Sequence, residues 1–330
     1  MKIRQINIKG LYDDVNFNWK LQPKVNILSG INGSFKTTLL KVLSRLCNAQ
    51  LLGDVCKVAQ AEVVMSEDVV IRYKSFDDSL LKLKKTSAHD DMLHRIAMDM
   101  KTDIEGVDDA TLAERRLAAD IIGVSKDGKD IKLSDFKKLA KVDLISTFDV
   151  KGLSANPKGK SLLDRMLDDL ERDYAYYQSD LSNAIVEKIK SGNQISQEEA
   201  NQIYKYRNLF LGIVQKAFSQ TDKAIVDNKS RIAFQLKDGT LIHSDSLSSG
   251  EKQFLIIMMT VLLEKGEEFI LMMDEPEISM HYEWQSKLIE NILKLNPNCQ
   301  IILSTHSPAL IMDGWEQSVM NMDKIKSYNG

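Results

Sequence analysis

"KVNILSGINGSFKTTLLKVLSRLC", residues 24 to 47, sets the reading of the whole chain. An apolar run ends at Gly30, and Lys36 and Thr37 follow at the distance required by the pattern G-x-x-x-x-G-K-[ST]. In that pattern a strand enters a glycine loop and a helix leaves it. Backbone N–H groups and the helix N-terminus then face an anion. Leu39, Leu40, Leu43 and Leu46 recur at helical spacing, as the pattern needs. One position departs from it. Phe35 stands directly before the lysine, where glycine is expected. Glycine there removes a Cβ that would crowd the loop or penalise a positive φ. The expectation is that Phe35 adopts a φ its side chain tolerates, with the ring turned away from the phosphates.

Composition narrows the classes around this loop. The chain has 330 residues, more than one average domain yet compatible with one elaborated domain. Hydrophobic residues make up 43% and charged residues 28%, the profile of a globular protein. The 44 basic and 47 acidic residues leave a net charge of -3, which gives no chain-wide attraction to nucleic acid or membrane. The three cysteines, Cys47, Cys56 and Cys299, are too scattered for a disulfide framework or a metal cluster. The N-terminus "MKIRQINIKG" alternates and lacks the apolar core of a signal peptide. The longest apolar run, "FLIIMM" at 254–259, is far too short to span a membrane. A cytoplasmic protein without membrane attachment is expected.

Outward from the loop, "KIRQINI" reads as a strand and "EVVMSEDVVIRY" as two strands around a turn. "GVSKDGKDIKL" carries Asp127-Gly128 between alternating runs, a hairpin signal, and "KVDLISTFDV" (141–150) reads as another strand. A polar stretch over 77–112 has no clear period. "KGLSANPKGK" (151–160) reads as a linker. A long helix up to Gly192 and a second one over "ISQEEANQIYKYRNLFLGIVQKAFSQ" form a helical hairpin. It either projects from the body or packs as an ordinary subdomain. The C-terminal third alternates strand and helix: "IAFQLKDGTLIH" as a hairpin, "SSGEKQFLIIMMTVLLEKG" as a helix, "EFILMMDEP" as a buried strand. "YEWQSKLIENILKL" then reads as a helix, "QIILSTHSP" as a strand and "SVMNM" as a last strand. Continuous apolar strands alternating with helices indicate a parallel sheet covered on both faces.

Three further stretches carry chemistry. "FILMMDEPE" (269–277) delivers Asp274 and Glu275 from the carboxyl end of an apolar strand, where open α/β sheets bind ligands. A turn after a strand explains one such acid more easily than two. "LSSGE" (247–251) places Ser248 and Glu251 as a capping box, which is a sufficient structural explanation. A serine and a glycine at a helix N-terminus also make an anion site. "ILSTHSP" (302–308) puts His306 just past a strand end; alone, such a histidine is usually structural.

Together the four stretches resemble the ABC-type ATPases, closely their SMC and RecF-like branch. "GINGSFKTT" resembles Walker A, "ILMMDEP" Walker B, "LSSGE" the LSGGQ signature and "STHSP" the switch histidine. The match covers both ends of the chain, about half its length, and no glutamine loop is evident near "ISTFD" (145–149). The resemblance implies an α/β P-loop NTPase, an ABC ATPase head with an antiparallel β segment and an inserted helical hairpin as a short arm. It divides the chain into 1–150 (Walker A and a β-rich segment), 151–222 (the helical insertion) and 223–330 (signature, Walker B and histidine). It implies ATP and Mg²⁺ as cofactors. Gly30, Asn32, Gly33, Ser34, Phe35, Lys36, Thr37 and Thr38 would bind the nucleotide, with Lys36 between the β- and γ-phosphates. Thr37 and Asp274 would hold Mg²⁺; Glu275 and His306 would be catalytic. Ser248 and Gly250 would close the nucleotide of a second protomer in a head-to-tail homodimer or larger oligomer, opened again by hydrolysis.

"DEPEISMH" followed by "EWQ" is similar to stand-alone ATPases of bacterial antiphage defence and to overcoming-lysogenization-defect proteins, whose Toprim nuclease domain follows the ATPase. The chain stops soon after the last expected core strand, so a separate effector, a nuclease for instance, is expected to work with it. Three alternatives stay open. One is an ATP-dependent DNA-binding or repair protein of SMC type, with lysines at 82, 84 and 85 and at 137, 138 and 141 as its basic patch. Another is a transporter nucleotide-binding subunit, disfavoured by the divergent middle. The last is a nucleotide switch that scarcely turns over, suggested by Phe35.

Overall fold

The computed structural model describes residues 1–53, 55–75, 121–146, 161–192, 194–228, 231–312 and 314–329. In chain order the first strands and helices are β1 (Ile3–Leu11), β2 (Val15–Lys20), β3 (Val25–Ser29), α1 (Lys36–Cys47), β4 (Gln60–Met65), β5 (Val69–Lys74), β6 (Ile121–Lys126), β7 (Lys129–Ile131), α2 (Leu133–Leu139) and β8 (Val142–Ser146). Then come α3 (Leu162–Lys190), α4 (Gln197–Ile203), α5 (Lys205–Phe218), β9 (Lys223–Asn228), β10 (Arg231–Leu236), β11 (Leu241–His243) and α6 (Ser249–Leu263). The chain closes with β12 (Ile270–Asp274), α7 (Tyr282–Leu295), β13 (Gln300–Ser304), α8 (Pro308–Ile311), β14 (Val319–Asn321), α9 (Met322–Ile325) and β15 (Lys326–Tyr328).

The chain forms two compact units. One comprises Ile3–Leu21, Lys41–Leu139 and Ile325–Gly330. Its sheet has seven strands in the order β15-β2-β1-β4-β5-β6-β7, each pair antiparallel. Alternation makes it one-sided: Ile6, Ile8, Val63 and Ile71 are buried while their neighbours along each strand are less so. The β6–β7 turn has Asp127 at φ 51 and Gly128 at φ 73, the left-handed pair that a two-residue hairpin uses.

The other unit, Met1–Lys2, Gln22–Leu40 and Ala140–Lys324, contains every candidate site residue. Its main sheet has the order β14-β3-β13-β12-β8 and every pair is parallel. All residues of β12 and β13 are buried, and the face that carries Leu271, Met273, Ile301 and Leu303 shares one core with α3, α5, α6 and α7. Helix α6 is apolar around most of its circumference and buries Phe254 through Met259 without interruption, as an enclosed helix should. Ser248 caps it, and Lys265 (φ 52) and Gly266 (φ 77) end it in left-handed conformations. A second, three-stranded antiparallel sheet has the order β11-β10-β9. Phe218, Phe234, Phe254 and Trp284 stack and tilt against one another between these elements, with centroids 4.5 to 6.4 Å apart.

The sheets and the fold class follow the sequence reading; several details do not. The expected second helix of the arm is two helices. Tyr204, at φ -88 and ψ 3, interrupts it between α4 and α5. Strands β2, β9 and β15 and helix α2 were not expected. Part of the helical hairpin packs into the core. Leu167, Tyr174 and Tyr177 of α3 and Phe210, Ile213 and Val214 of α5 are core residues, while α4 buries none and Val186 and Ile189 near the end of α3 are exposed. The linker at 151–160, the stretch at 77–112, lysines 82, 84 and 85, and the end of "ISTFD" lie outside the described residues. Cys47, Cys56 and Cys299 are free and buried. No helix among the described residues is long and apolar enough to cross a membrane.

Candidate active site

Three adjacent parallel strands deliver the site. β13 lies between β3 and β12, and the carboxyl end of each carries one motif. β3 leads into the glycine loop, β12 ends at Asp274, and β13 leads to Thr305–Ser307. The register puts Asp274 opposite Ser304 and Ser304 opposite Leu28, so the three motifs leave the sheet at one level. That edge is where ligands bind in open α/β sheets.

The loop from Gly30 to Phe35 turns tightly. Ser34 N–H donates to the Ile31 carbonyl at 3.2 Å, and the Phe35 carbonyl accepts the Leu39 N–H at 2.9 Å, opening α1. A Cβ at Gly30 would sit 2.8 Å from Ser34 Oγ and 3.2 Å from Met322 Cβ, so a side chain there would have to turn the hydroxyl aside. That hydroxyl oxygen is itself buried without a hydrogen-bond partner among the described residues. Asn32 and Gly33 are exposed, with Gly33 at φ 80; Thr37 and Thr38 are half-buried in the first turn of α1. Phe35 corrects the sequence expectation. Its φ is 72, in the left-handed region, so the loop keeps the path a glycine would take and the phenylalanine bears the strain.

Lys36 is buried, and its ammonium donates to the carbonyls of Gly30 (3.0 Å) and Ile31 (3.2 Å). It also meets His306 Nε2 at 2.8 Å. Burial lowers the Lys36 pKa below its ordinary value; the carboxylates of Glu275, Asp274 and Glu277 act in the opposite sense without cancelling it. His306 Nε2 also lies 3.5 Å from Glu275 Oε1. It accepts from the ammonium only in the neutral tautomer that carries its proton on Nδ1.

Asp274 is 2% exposed, and Ser304 Oγ donates to its Oδ1 at 2.5 Å. The Glu275 N–H reaches both the Ser304 carbonyl (3.1 Å) and Ser304 Oγ (3.2 Å). Glu275 itself holds φ 49, another strained backbone at the same edge. Among the described residues no three of His, Cys, Asp and Glu gather as a metal centre of their own.

The structure thus brings Lys36, Asp274, Glu275 and His306 together. Ser248 and Gly250 belong to a different place, the N-terminus of α6. Ser248 Oγ donates to Glu251 Oε2 (2.9 Å) and accepts the Glu251 N–H (3.3 Å), the expected capping box. Glu251 also takes hydrogen bonds from Thr221 Oγ1 (2.7 Å) and Lys223 Nζ (2.9 Å). Gly250 is buried against the backbone of Ser279. Two groups were missed by the sequence reading: Ser304, which holds Asp274 and Glu275, and Glu277, which holds the histidine loop.

Residues 25–313 match the family described as "AAA domain, putative AbiEii toxin, Type IV TA system". The chain belongs to this AAA family. The AAA chain is 24% identical over 134 residues to the Retron Vc95 probable ATPase of Vibrio cholerae, covering 37% of this chain and 26% of that protein. It is 27% identical over 110 residues to the phosphate import ATP-binding protein PstB of Pyrococcus furiosus, covering 32% and 42% respectively. These matches span well under two thirds of the curated relatives. In fold it resembles an Smc head bound to the C-terminal winged-helix domain of ScpA, with TM-score 0.58 and 11% identity over 100% of this chain and 98% of that one. It also resembles an Smc head with an extended coiled coil, bound to ScpA's C-terminal domain and derived from Pyrococcus furiosus. There the TM-score is 0.53 and the identity 12%, over 99% of this chain and 96% of that one. The AAA chain therefore has an SMC-like P-loop ATPase fold, in which the parallel sheet carries the candidate site.

Proposed function

We propose that the chain binds and hydrolyses ATP as a head-to-tail homodimer, and that this cycle controls a separate effector, such as a nuclease, in bacterial defence against phage. The observation that carries the proposal is His306 Nε2, placed 2.8 Å from Lys36 Nζ and 3.5 Å from Glu275 Oε1. A cation, a carboxylate and an imidazole at the edge of a parallel sheet are the groups a γ-phosphate and an attacking water require.

The residues fit the nucleotide. An anion in the loop would take the Lys36 ammonium from the Gly30 and Ile31 carbonyls and would give the orphaned Ser34 hydroxyl an acceptor. Asn32, Gly33, Phe35 and Thr38 would complete the loop around it. Thr37 and Asp274 offer hard oxygen ligands suited to Mg²⁺, which usually takes one or two carboxylates together with substrate phosphates. Bound there, Mg²⁺ would neutralise charge developing on the phosphates. Glu275 would orient and deprotonate water, and His306 would hold the γ-phosphate. Ser248 and Gly250 would close the site of the second protomer, the Ser248 hydroxyl leaving Glu251 to donate to phosphate. The defence role is supported by the motif resemblance and by the partial likeness to a retron ATPase.

Hydrolysis is tested by comparing the wild-type chain with Lys36→Ala; loss of turnover on removing the ammonium is expected. Co-purification with the products of adjacent genes, with and without ATP, tests the effector. The motif resemblance to the SMC and RecF-like branch leaves one second reading, an ATP-dependent DNA-binding or repair protein. An ATP-dependent, salt-sensitive DNA shift would support it.

A further inference from the structure

Glu277 follows Asp274 and Glu275 closely and has no role in the proposed reaction. It is 9% exposed, an expensive place for a carboxylate unless donors surround it. Its Oε1 accepts from three consecutive residues of the loop after β13: Thr305 Oγ1 at 2.7 Å, His306 N–H at 2.8 Å and Ser307 N–H at 3.2 Å. Its Oε2 is buried without a hydrogen-bond partner among the described residues. One carboxylate oxygen therefore gathers a whole loop, and the other does nothing else.

The loop is tied down around this point. Ser307 N–H also donates to Thr305 Oγ1 at 2.8 Å, and Ser307 Oγ donates to Gln285 Oε1 at 2.6 Å. Gln285 Nε2 in turn donates to the carbonyls of Met280 (2.8 Å) and Glu277 (3.3 Å). Neutral acceptors would close such a turn at lower desolvation cost. A carboxylate makes charge-assisted bonds, roughly twice as strong as neutral ones. The strongest restraint thus falls on the backbone of the residue whose imidazole must point between Lys36 and Glu275.

We infer that Glu277 is a positioning residue: its buried carboxylate clamps the backbone of Thr305–Ser307 and so aims His306 Nε2 at the nucleotide site. Glu277 touches no reacting atom. The inference rests on the reading that His306 serves a bound nucleotide.

The test is steady-state ATP hydrolysis by the full chain, for wild type, Glu277→Ala, Glu277→Asp, Glu277→Gln, His306→Ala and the Glu277→Ala/His306→Ala pair. Glu277→Ala should lower kcat roughly 10- to 100-fold while KM stays within about threefold. Glu277→Gln keeps an oxygen for the three donors and should recover most of that loss. In the His306→Ala background, Glu277→Ala should cost less than about twofold more, because its effect passes through the imidazole. Wild-type kcat in Glu277→Ala, or a full additional loss on top of His306→Ala, overturns the inference. If Glu277→Ala does not fold, Glu277→Asp decides. Its shorter side chain should also lose kcat without KM, and wild-type kcat there overturns the clamp. If wild type neither binds nor hydrolyses ATP, the nucleotide reading fails instead. The clamp is then judged by the His306 imidazole resonances, which should shift in Glu277→Asp and would overturn it by staying put.

Discussion

Gly250 packs directly onto the carbonyl oxygen of Ser279: a Cβ at position 250 would lie 1.9 Å from that oxygen and 2.8 Å from its carbon. The obstacle is backbone, which cannot rotate aside. The glycine of the signature-like stretch therefore has a structural reason that is independent of any nucleotide. Gly250→Ala should destabilise the chain by about 1–3 kcal/mol, the usual cost of forcing a methyl group into filled space. The neighbouring exposed Ser249→Ala should change stability by less than about 0.5 kcal/mol. Urea unfolding of the two variants checks this, and equal stability would mean that α6 and Ser279 are not so closely packed.

Phe35 makes a second prediction. At φ 72 a β-branched side chain is a steric outlier, whereas glycine is at ease. Phe35→Gly should keep Mg-ATP affinity within about threefold, since the loop path is retained. Phe35→Val should weaken it by more than about tenfold, because valine would pull the backbone out of the left-handed region. Calorimetric titration with Mg-ATP separates the two; equal affinities would show that the loop takes another path.

The Lys223–Glu251 pair predicts a pH signature. Burial works to raise the Glu251 pKa, but the hydrogen bonds from Lys223, the Ser248 backbone, Thr221 and the Ser248 hydroxyl together hold it below the ordinary glutamate value. A depressed folded pKa gives stability that is present above the unfolded value of about 4.3 and is lost as pH falls through the folded one. Lys223→Met leaves the carboxylate buried without its cation. It should cost about 1–3 kcal/mol at pH 7. The deficit should shrink between about pH 5 and 4, as protonation removes the uncompensated charge. Urea unfolding at both ends of that range is the check, and a deficit independent of pH would show that the ion pair is not its source.

Much of the fold and of the candidate site was legible because the signals are local. The apolar runs of β12 and β13, the capping box at Ser248 and the Asp127-Gly128 turn each follow from a few adjacent residues. What was not legible depends on the chain returning. Glu277 reads as a turn acid until Thr305, 28 residues on, brings its loop alongside. Ser304 reads as a strand end until the register sets it opposite Asp274. The break at Tyr204 has no glycine or proline to announce it. It falls where the deeply packed α5 gives way to α4, which buries nothing. The left-handed backbone of Phe35 runs against its residue type, so only the loop around it reveals it.

The central claim is that Glu275 acts on a nucleotide bound beside Lys36 and enclosed by a second copy of the chain. Its most direct test is the mass of Glu275→Gln in solution with Mg-ATP, measured by light scattering during size exclusion. A dimer that persists with ATP, dissociates on its removal and fails to form in Glu275→Gln/Lys36→Ala is the predicted result. A Glu275→Gln chain that stays monomeric in ATP and hydrolyses it at the wild-type rate would contradict the account.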